Sequence, residues 1–287
     1  MNSKDAINIF CENIEEFSRR RLVADTQRVG MINELLSALV TGAADVSAAE
    51  VLESLKDILP TSTCEDRARL CMVLGASSRF GAEMKRNSLL GEEIAAGSHG
   101  KVSLVRNSYN ELAFSRFSRV ITRPKEVFAS SFTAACEDVY DNRCEFCILP
   151  VENSQSGRLF SFYSMLDRYE LRICGACDLE AEDGSEGSVK YALVGRALPD
   201  RIPKNSFWSF EFSVIFYGGR VLSDISGVAE IFGARLTKID SLPVEYDGRL
   251  QKYYFTFSLP ETSIAAFDLF LENEYARYTA VGLYPTV

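Results

Sequence analysis

Glu152, Asn153 and Ser154 close the apolar run Cys147-Ile148-Leu149-Pro150-Val151 and are followed by Gln155-Ser156-Gly157. Together they offer a carboxylate that can move a proton or hold a cation, an amide and a hydroxyl, presented where a strand gives way to a turn. Asn-Ser is also a pair that caps helices. Apolar residues then recur at Leu159, Phe162, Tyr163, Leu166 and Tyr169, the i, i+3, i+4, i+7 spacing of a helix packed on a sheet. A helix entered this way aims its free N–H groups and the positive end of its dipole at one spot, a natural seat for a carboxylate. The pattern leaves two readings open: a cap and turn that serve folding, or a small anion seat.

Two cysteine pairs offer a second chemistry. Cys144-x-x-Cys147 and Cys174-x-x-Cys177 have the spacing of a zinc ribbon. Cys144 to Cys147 runs into an apolar strand without the Gly or Pro that tightens a zinc knuckle, and residues three apart on a strand point to opposite faces. Reduced thiols are the expectation, with no metal and no cofactor. The single histidine, His99, lies in Ala95-Ala96-Gly97-Ser98-His99-Gly100, a linker-like stretch. A Ser-His-Asp or multi-histidine site would have to be built on it alone.

The elements that must position these residues fall into three regions. A formal net charge of −9 over 287 residues argues against nucleic acid or an anionic membrane as partner, since both require a basic surface. No apolar run approaches the length of a membrane span. Met1-Asn2-Ser3-Lys4-Asp5 leads into an acidic amphipathic helix and not a signal peptide, so a cytoplasmic location is expected. Residues 1–95 read as helices over 4–21, 27–41, 47–58 and 64–76, the third capped by Ser47 with Glu50 three residues on. A Gly-containing connection over 91–100 follows.

Residues 101–200 alternate strands and helices and predict an α/β layer. Strands are expected at 101–105, 120–121, 145–150, 171–176 and 191–194, and a helix over 126–140. Ser108-Tyr109-Asn110-Glu111 reads as a capping box opening another helix. Asp178 to Gly187 reads as an acidic surface loop. Residues 205–287 are α+β: Trp208, Phe210, Phe212, Val214 and Phe216 alternate as on a half-buried strand. Helix 222–232, strands 235–241 and 252–258, helix 261–273 and strand 277–283 complete a βαββαβ, ferredoxin-like order. Asp247-Gly248 is the expected hairpin turn between the two central strands.

The order of these pieces resembles prephenate dehydratase followed by its regulatory ACT domain. The family's opening strand and Gly-Ser-Tyr-Ser-like turn look like Val102 to Ala113, including Ser108 and Tyr109. Its Pro-Ile-Glu-Asn-Ser motif looks like Pro150-Val151-Glu152-Asn153-Ser154. Its ACT signature looks like Arg235-Leu236-Thr237-Lys238-Ile239-Asp240-Ser241-Leu242-Pro243, and its Leu-Gly-Ser-Tyr-Pro ending like Val281-Gly282-Leu283-Tyr284-Pro285. The resemblance implies prephenate dehydration and decarboxylation to phenylpyruvate at Glu152, Asn153, Ser154 and Lys190. It also implies binding of a small aromatic metabolite or amino acid near Ser108, Tyr109, Gly219, Arg220, Val221, Ser241, Leu242 and Pro243, and a homodimer formed through the ACT-like region.

The sequence departs from the family at two places in the catalytic region. The family's Thr-Arg-Phe strand is matched by Val189-Lys190-Tyr191, so the hydroxyl is absent and lysine replaces arginine's planar fork. The family's subdomain between that strand and the one before it is replaced by the acidic segment 178–187. These departures imply a dehydratase-like protein that has lost catalysis and binds a ligand or partner; the alternative is an active dehydratase whose second wall comes from elsewhere. The N-terminal helices stand where bifunctional members carry chorismate mutase. Arg19-Arg20-Arg21 and Arg28 leave a degenerate mutase and an unrelated bundle both open.

Overall fold

The computed structural model describes residues 47–58, 63–88, 100–153, 157–158, 160–180, 188–199, 207–216, 220–244 and 247–285, with isolated helical residues between 16 and 34. His99, Ser154 and Gly219 lie outside the described residues, as do most residues of the two helices expected over 4–41.

Strand β1 (Lys101–Val105) pairs in parallel with β2 (Lys125–Ala129) and with β3 (Phe146–Asn153). Helices α4 (Ser108–Phe117) and α5 (Phe132–Tyr140) make the two crossovers. After β3 come the two-residue β4 (Gly157–Arg158), helix α6 (Phe160–Tyr169), β5 (Arg172–Glu180) and β6 (Ser188–Gly195). The second half runs β7 (Phe207–Phe216), α7 (Arg220–Ala229), a 3₁₀ turn (Glu230–Phe232), β8 (Arg235–Val244), β9 (Asp247–Pro260), α8 (Glu261–Glu274) and β10 (Tyr278–Tyr284).

All ten strands belong to one sheet, in the order β2-β1-β3-β6-β5-β10-β7-β9-β8, with β4 paired on β3. The last four positions of this order are the ferredoxin-like arrangement. The halves meet where β10 runs parallel to β5, Gly282 opposite Ile173. A Cβ on Gly282 would lie 2.5 Å from the Ile173 Cβ and 2.7 Å from its carbonyl oxygen, so only glycine allows the strands to approach this closely.

Three packing layers follow from the strand faces. On one face of the first half, Val102, Leu104, Ile148 and Leu193 pack on Ala113 and Phe117 of α4. On the other, Leu149, Val151, Ala192 and Val194 pack on Ala135 of α5 and on Phe162 and Leu166 of α6. Tyr254, Val281 and Tyr284 of the second half join this layer, so α6 lies against both halves. In the second half, Phe210, Phe212, Phe255 and Phe257 pack on Phe267 and Phe270 of α8. Each fully buried aromatic ring contributes about 1.5–3 kcal/mol of transfer free energy.

The N-terminal helices α1 (Ala48–Ile58), α2 (Cys64–Ala76) and α3 (Ser78–Asn87) extend this last layer. Ser47 and Glu50 form the expected capping pair, the Ser47 N–H donating to Glu50 Oε2 at 2.7 Å. Arg67 of α2 grips Glu274 of α8 with two bonds of 2.7 Å. Arg20 is exposed and pairs with Glu16 one turn back.

Several local expectations are corrected. Helix α3 was not expected. Residues 125–129 form strand β2, not a helix start, whereas Val120 and Ile121 are buried in a turn. The α4 cap is Asn107, whose side chain accepts from the Asn110 N–H, one residue before the expected Ser108. Val244 stands opposite Asp247, so Asp247-Gly248 opens β9 and is not the hairpin turn. Strand β5 runs on to Glu180, taking in the start of the predicted acidic loop. Residues 220–221 already belong to helix α7.

Candidate functional site

Strand β3 carries the motif to the end of the first half. Its register against β6 slips between Pro150 and Glu152, a bulge that places Glu152 opposite Lys190. Lys190 in turn stands opposite Asp178 of β5. Residues directly opposite on neighbouring strands share a face, so Glu152, Lys190 and Asp178 form one row. That face is the one covered by α5 and α6.

The helix-cap reading is overturned for Asn153; Ser154 lies outside the described residues. After Asn153 the chain folds back and pairs as β4, Glu152 opposite Arg158 and Asn153 opposite Gly157. Helix α6 begins only at Phe160. Its N–H groups are therefore separated from Asn153 by a hairpin, and the motif does not sit on a helix N-terminus.

Glu152 instead meets a cation from the second half. Lys238 Nζ of β8 donates to Glu152 Oε2 at 2.5 Å, across 86 residues of sequence. Asp240 Oδ2 lies 3.9 Å from the same nitrogen. The two side chains of the pair are 33% and 28% exposed, so the contact is half-buried and open to solvent at one side. Lys238 belongs to the stretch that resembles the ACT signature. No local pattern marks it as a partner of Glu152.

Helix α6 is fastened to the same face of the second half by two further contacts. Lys252 Nζ donates to Asp167 Oδ2 at 2.9 Å and lies 5.2 Å from the centre of the Tyr254 ring. Burial works against the Lys252 ammonium, but Asp167 and Tyr254 outweigh it and hold its pKa above the usual value. The Tyr163 hydroxyl donates to Glu211 Oε1, and the Tyr284 hydroxyl to Glu211 Oε2 at 3.1 Å. Glu211 is 1% exposed. The buried Ser213 Oγ, two residues on, has no hydrogen-bond partner among the described residues. The Tyr163 and Tyr254 rings lie 4.0 Å apart between these polar contacts. Glu211, Tyr163 and Tyr284 were not expected from the sequence; the only sign is a run of polar residues, Ser209, Glu211 and Ser213, on the second face of an aromatic strand.

The other expected site residues are distributed differently. Ser108 is exposed at the start of α4. Tyr109 packs on the opposite face of the sheet from Glu152, its ring stacked on Tyr191 at 6.5 Å. Burial, then Tyr109 and Cys177, push the Tyr191 hydroxyl up to about 12. Ser241 and Pro243 are exposed on β8, whereas Leu242 turns towards the layer under α6. The structure thus places Glu152 opposite Lys190 in register, brings Leu242 to the same layer, and sends Tyr109 to the other face. The N-terminal helices lie against α8, on the opposite face of the second half from Lys238.

The cysteine pairs also part company. Cys144 and Cys147 lie in the layer with α5 and α6, and Cys174 and Cys177 in the layer with α4. They do not converge on a tetrahedral site, and among the described residues no group of three His, Cys, Asp or Glu could hold a metal ion. Burial pushes the Cys174 and Cys177 thiols up to about 12.

Residues 105–183 match the family model of prephenate dehydratase. This dehydratase-like segment runs from the end of β1 past the end of β5 and includes the Glu152 motif. No curated protein matches the chain. Two solved structures share the fold. A protein described as GqqA, a novel type of quorum quenching acylase, is 18% identical, with a TM-score of 0.51 over 66% of this chain and 97% of its own. Prephenate dehydratase from Streptococcus mutans is 17% identical, with a TM-score of 0.52 over 64% of this chain and 97% of its own. At these identities the likeness is one of fold, and one fold hosts more than one chemistry.

Proposed function

We propose that this chain is a dehydratase-like protein that binds a small aromatic carboxylate or amino acid without dehydrating it. The observation that carries the reading is the short link between two paired strands: β5 ends at Glu180, which stands opposite Ser188 where β6 begins. The seven residues 181–187 between them are too few to hold the second lobe that the family resemblance implies. A carboxylate on the remaining shelf stays in contact with water, which weakens every electrostatic contribution to a developing charge. Lys190 offers a point charge where the family motif has arginine's two parallel donors. The acylase description of one structural neighbour adds a physical reason not to read dehydration from the fold alone.

Incubating the purified chain with prephenate and following phenylpyruvate tests the catalytic half of the proposal; no product above the uncatalysed rate is expected. A thermal-shift panel of prephenate, chorismate, phenylpyruvate and the aromatic amino acids tests the binding half. At least one is expected to raise Tm at millimolar concentration. A flat panel removes the sensing reading.

The second reading, a working dehydratase, draws support from Lys238, which brings β8 up to Glu152 as a substitute wall. Turnover of prephenate that disappears in Glu152→Ala would establish it. In either reading the ferredoxin-like half stands in the position of an ACT domain and is proposed to pair with a second copy. The outermost strand β8 carries Leu236 and Ile239, 38% and 39% exposed, which supports that edge as the contact. A monomer by light scattering at micromolar concentration would remove the dimer.

A further inference from the structure

The corner between α2 and α3 stands over a cavity that the dehydratase-like reading does not use. One residue, Ser77, ends α2 and caps α3: its hydroxyl donates to the Leu74 carbonyl at 2.8 Å and accepts from the Phe80 N–H at 3.2 Å. So tight a corner brings backbones together, and a Cβ on Gly81 would lie 2.3 Å from the Gly75 carbonyl oxygen. A Cβ on Gly75 would in turn lie 3.3 Å from the Ala266 Cβ of α8. Side chains small enough to allow this approach leave space unfilled on the solvent side, a cavity of about 690 Å³ lined by Met72, Gly75, Ala265 and Ala266. Small-molecule sites span about 300–1,000 Å³. The cavity lies on the helical face of the second half, the opposite face from Lys238 and its partner Glu152.

The only charged residues lining it are Lys85 of α3 and Glu261 at the start of α8. Lys85 Nζ donates to Glu261 Oε1 at 3.4 Å, and the two side chains are 58% and 46% exposed, so both keep a side turned to solvent. An ammonium and a carboxylate at this spacing match a ligand with the opposite two charges equally close together. An α-amino acid is such a ligand, because its ammonium nitrogen and nearer carboxylate oxygen lie about 3 Å apart. A plain carboxylic acid would set its charge beside Glu261 with no ammonium to offset it, and a peptide carries its two termini further apart than the pair.

We propose that this cavity binds a free apolar α-amino acid. The ligand's ammonium lies against Glu261, its carboxylate against Lys85, and its side chain over Met72 and Ala265. The four charges alternate around the pair, so the resident bond stays closed and no proton moves. Because α2, α3 and α8 each supply a wall, occupancy fastens the N-terminal helices to the second half. The site is separate from the shelf at Glu152 and does not depend on it.

Calorimetric titration of the full chain with L-leucine tests the site, and saturable binding is expected. Lys85→Ala and Glu261→Gln should each weaken it about fivefold, the effect of losing one exposed ion pair. Leucinamide, which lacks the carboxylate, should be weakened by Glu261→Gln and not by Lys85→Ala. N-acetyl-leucine, which lacks the ammonium, should show the reverse. Ala265→Phe fills the cavity from a half-buried position and should abolish binding with Tm retained. In hydrogen exchange, leucine should slow the backbone of α2 and α3 and leave residues 150–158 unchanged.

No leucine binding at millimolar concentration, or binding that Ala265→Phe leaves intact, overturns the proposal. Loss in Ala265→Phe with full affinity in both charge variants also overturns it, since the rim pair would then read nothing. If leucine fails to bind while the thermal-shift panel is positive, this site falls and the dehydratase-like reading stands.

Discussion

The two faces of β7 are built from opposite materials. One face presents Phe210, Phe212 and Val214 to α8, with Phe212 stacked on Phe255 and Phe257. The other presents Glu211 and Ser213, each 1% exposed, to α6 and β10. Both faces are equally dry, yet the first is held by contacts that add up without direction and the second by a few bonds with fixed geometry. A dispersed aromatic layer tolerates small displacements. A carboxylate gripped by two tyrosine hydroxyls does not, and this places the rigidity of the molecule at the junction of its halves.

Substitutions on the two faces should separate these behaviours. The largest effect is expected for Phe212→Ala, a loss of about 3–5 kcal/mol with an undiminished denaturant slope, read from urea unfolding. Glu211→Ala should cost about 1–3 kcal/mol, since it leaves two buried hydroxyls without their acceptor. Its signature is local: faster amide exchange in α6 and β10, with the aromatic layer unchanged. Equal exchange across the sheet would show that the polar face does not fasten the halves.

Gly282→Ala tests the junction through the backbone. The new methyl group collides with Ile173, so a loss of about 1–3 kcal/mol is expected, together with separation of a single unfolding transition into two. One intact transition at the original midpoint would mean that the halves cooperate without β10 against β5.

The smallest effect concerns the thiols under α4. Cys174 and Cys177, held near 12 by burial, ionise in the unfolded chain at about 8.5. Their folded pKa values are raised, so the stability they contribute is complete below about pH 8.5. It drains away as pH climbs towards 12. Between pH 8 and 10.5 the urea midpoint is expected to fall less steeply in Cys174→Ala than in the unaltered protein. The Glu211 variants should leave this slope unchanged.

What could be read from the sequence follows the range of the interactions involved. The aromatic alternation on β7, the ferredoxin-like order and the helix over 64–76 depend on neighbours a few residues away, and their periodicity carries them. The second face of β7 reads as a solvent face because Ser209, Glu211 and Ser213 are polar. Only the packing of α6, contributed by another part of the chain, makes it an interior. Strand β2 was read as the start of a helix because Lys125-Glu126-Val127-Phe128-Ala129 is short, half charged and mostly exposed at a sheet edge, where strand patterning is weakest. The Glu152 motif was legible as a motif, but its hairpin into β4 and its partner Lys238 were not. A two-residue strand has no period, and an ion pair spanning 86 residues leaves no local trace.

Because β10 lies between β5 and β7, a nascent chain cannot finish the sheet until residue 284 has left the ribosome. Before that, both half-sheets expose a raw flank: Ile173 on one side, and Glu211 on the other with the hydroxyl of Tyr284 still to come. During synthesis these flanks are the places where a neighbouring chain could insert, and chaperone demand should concentrate there. Late arrival of the middle strand also makes productive folding hinge on long-range closure, so slow acquisition of the native state on dilution from urea is the expected kinetic mark.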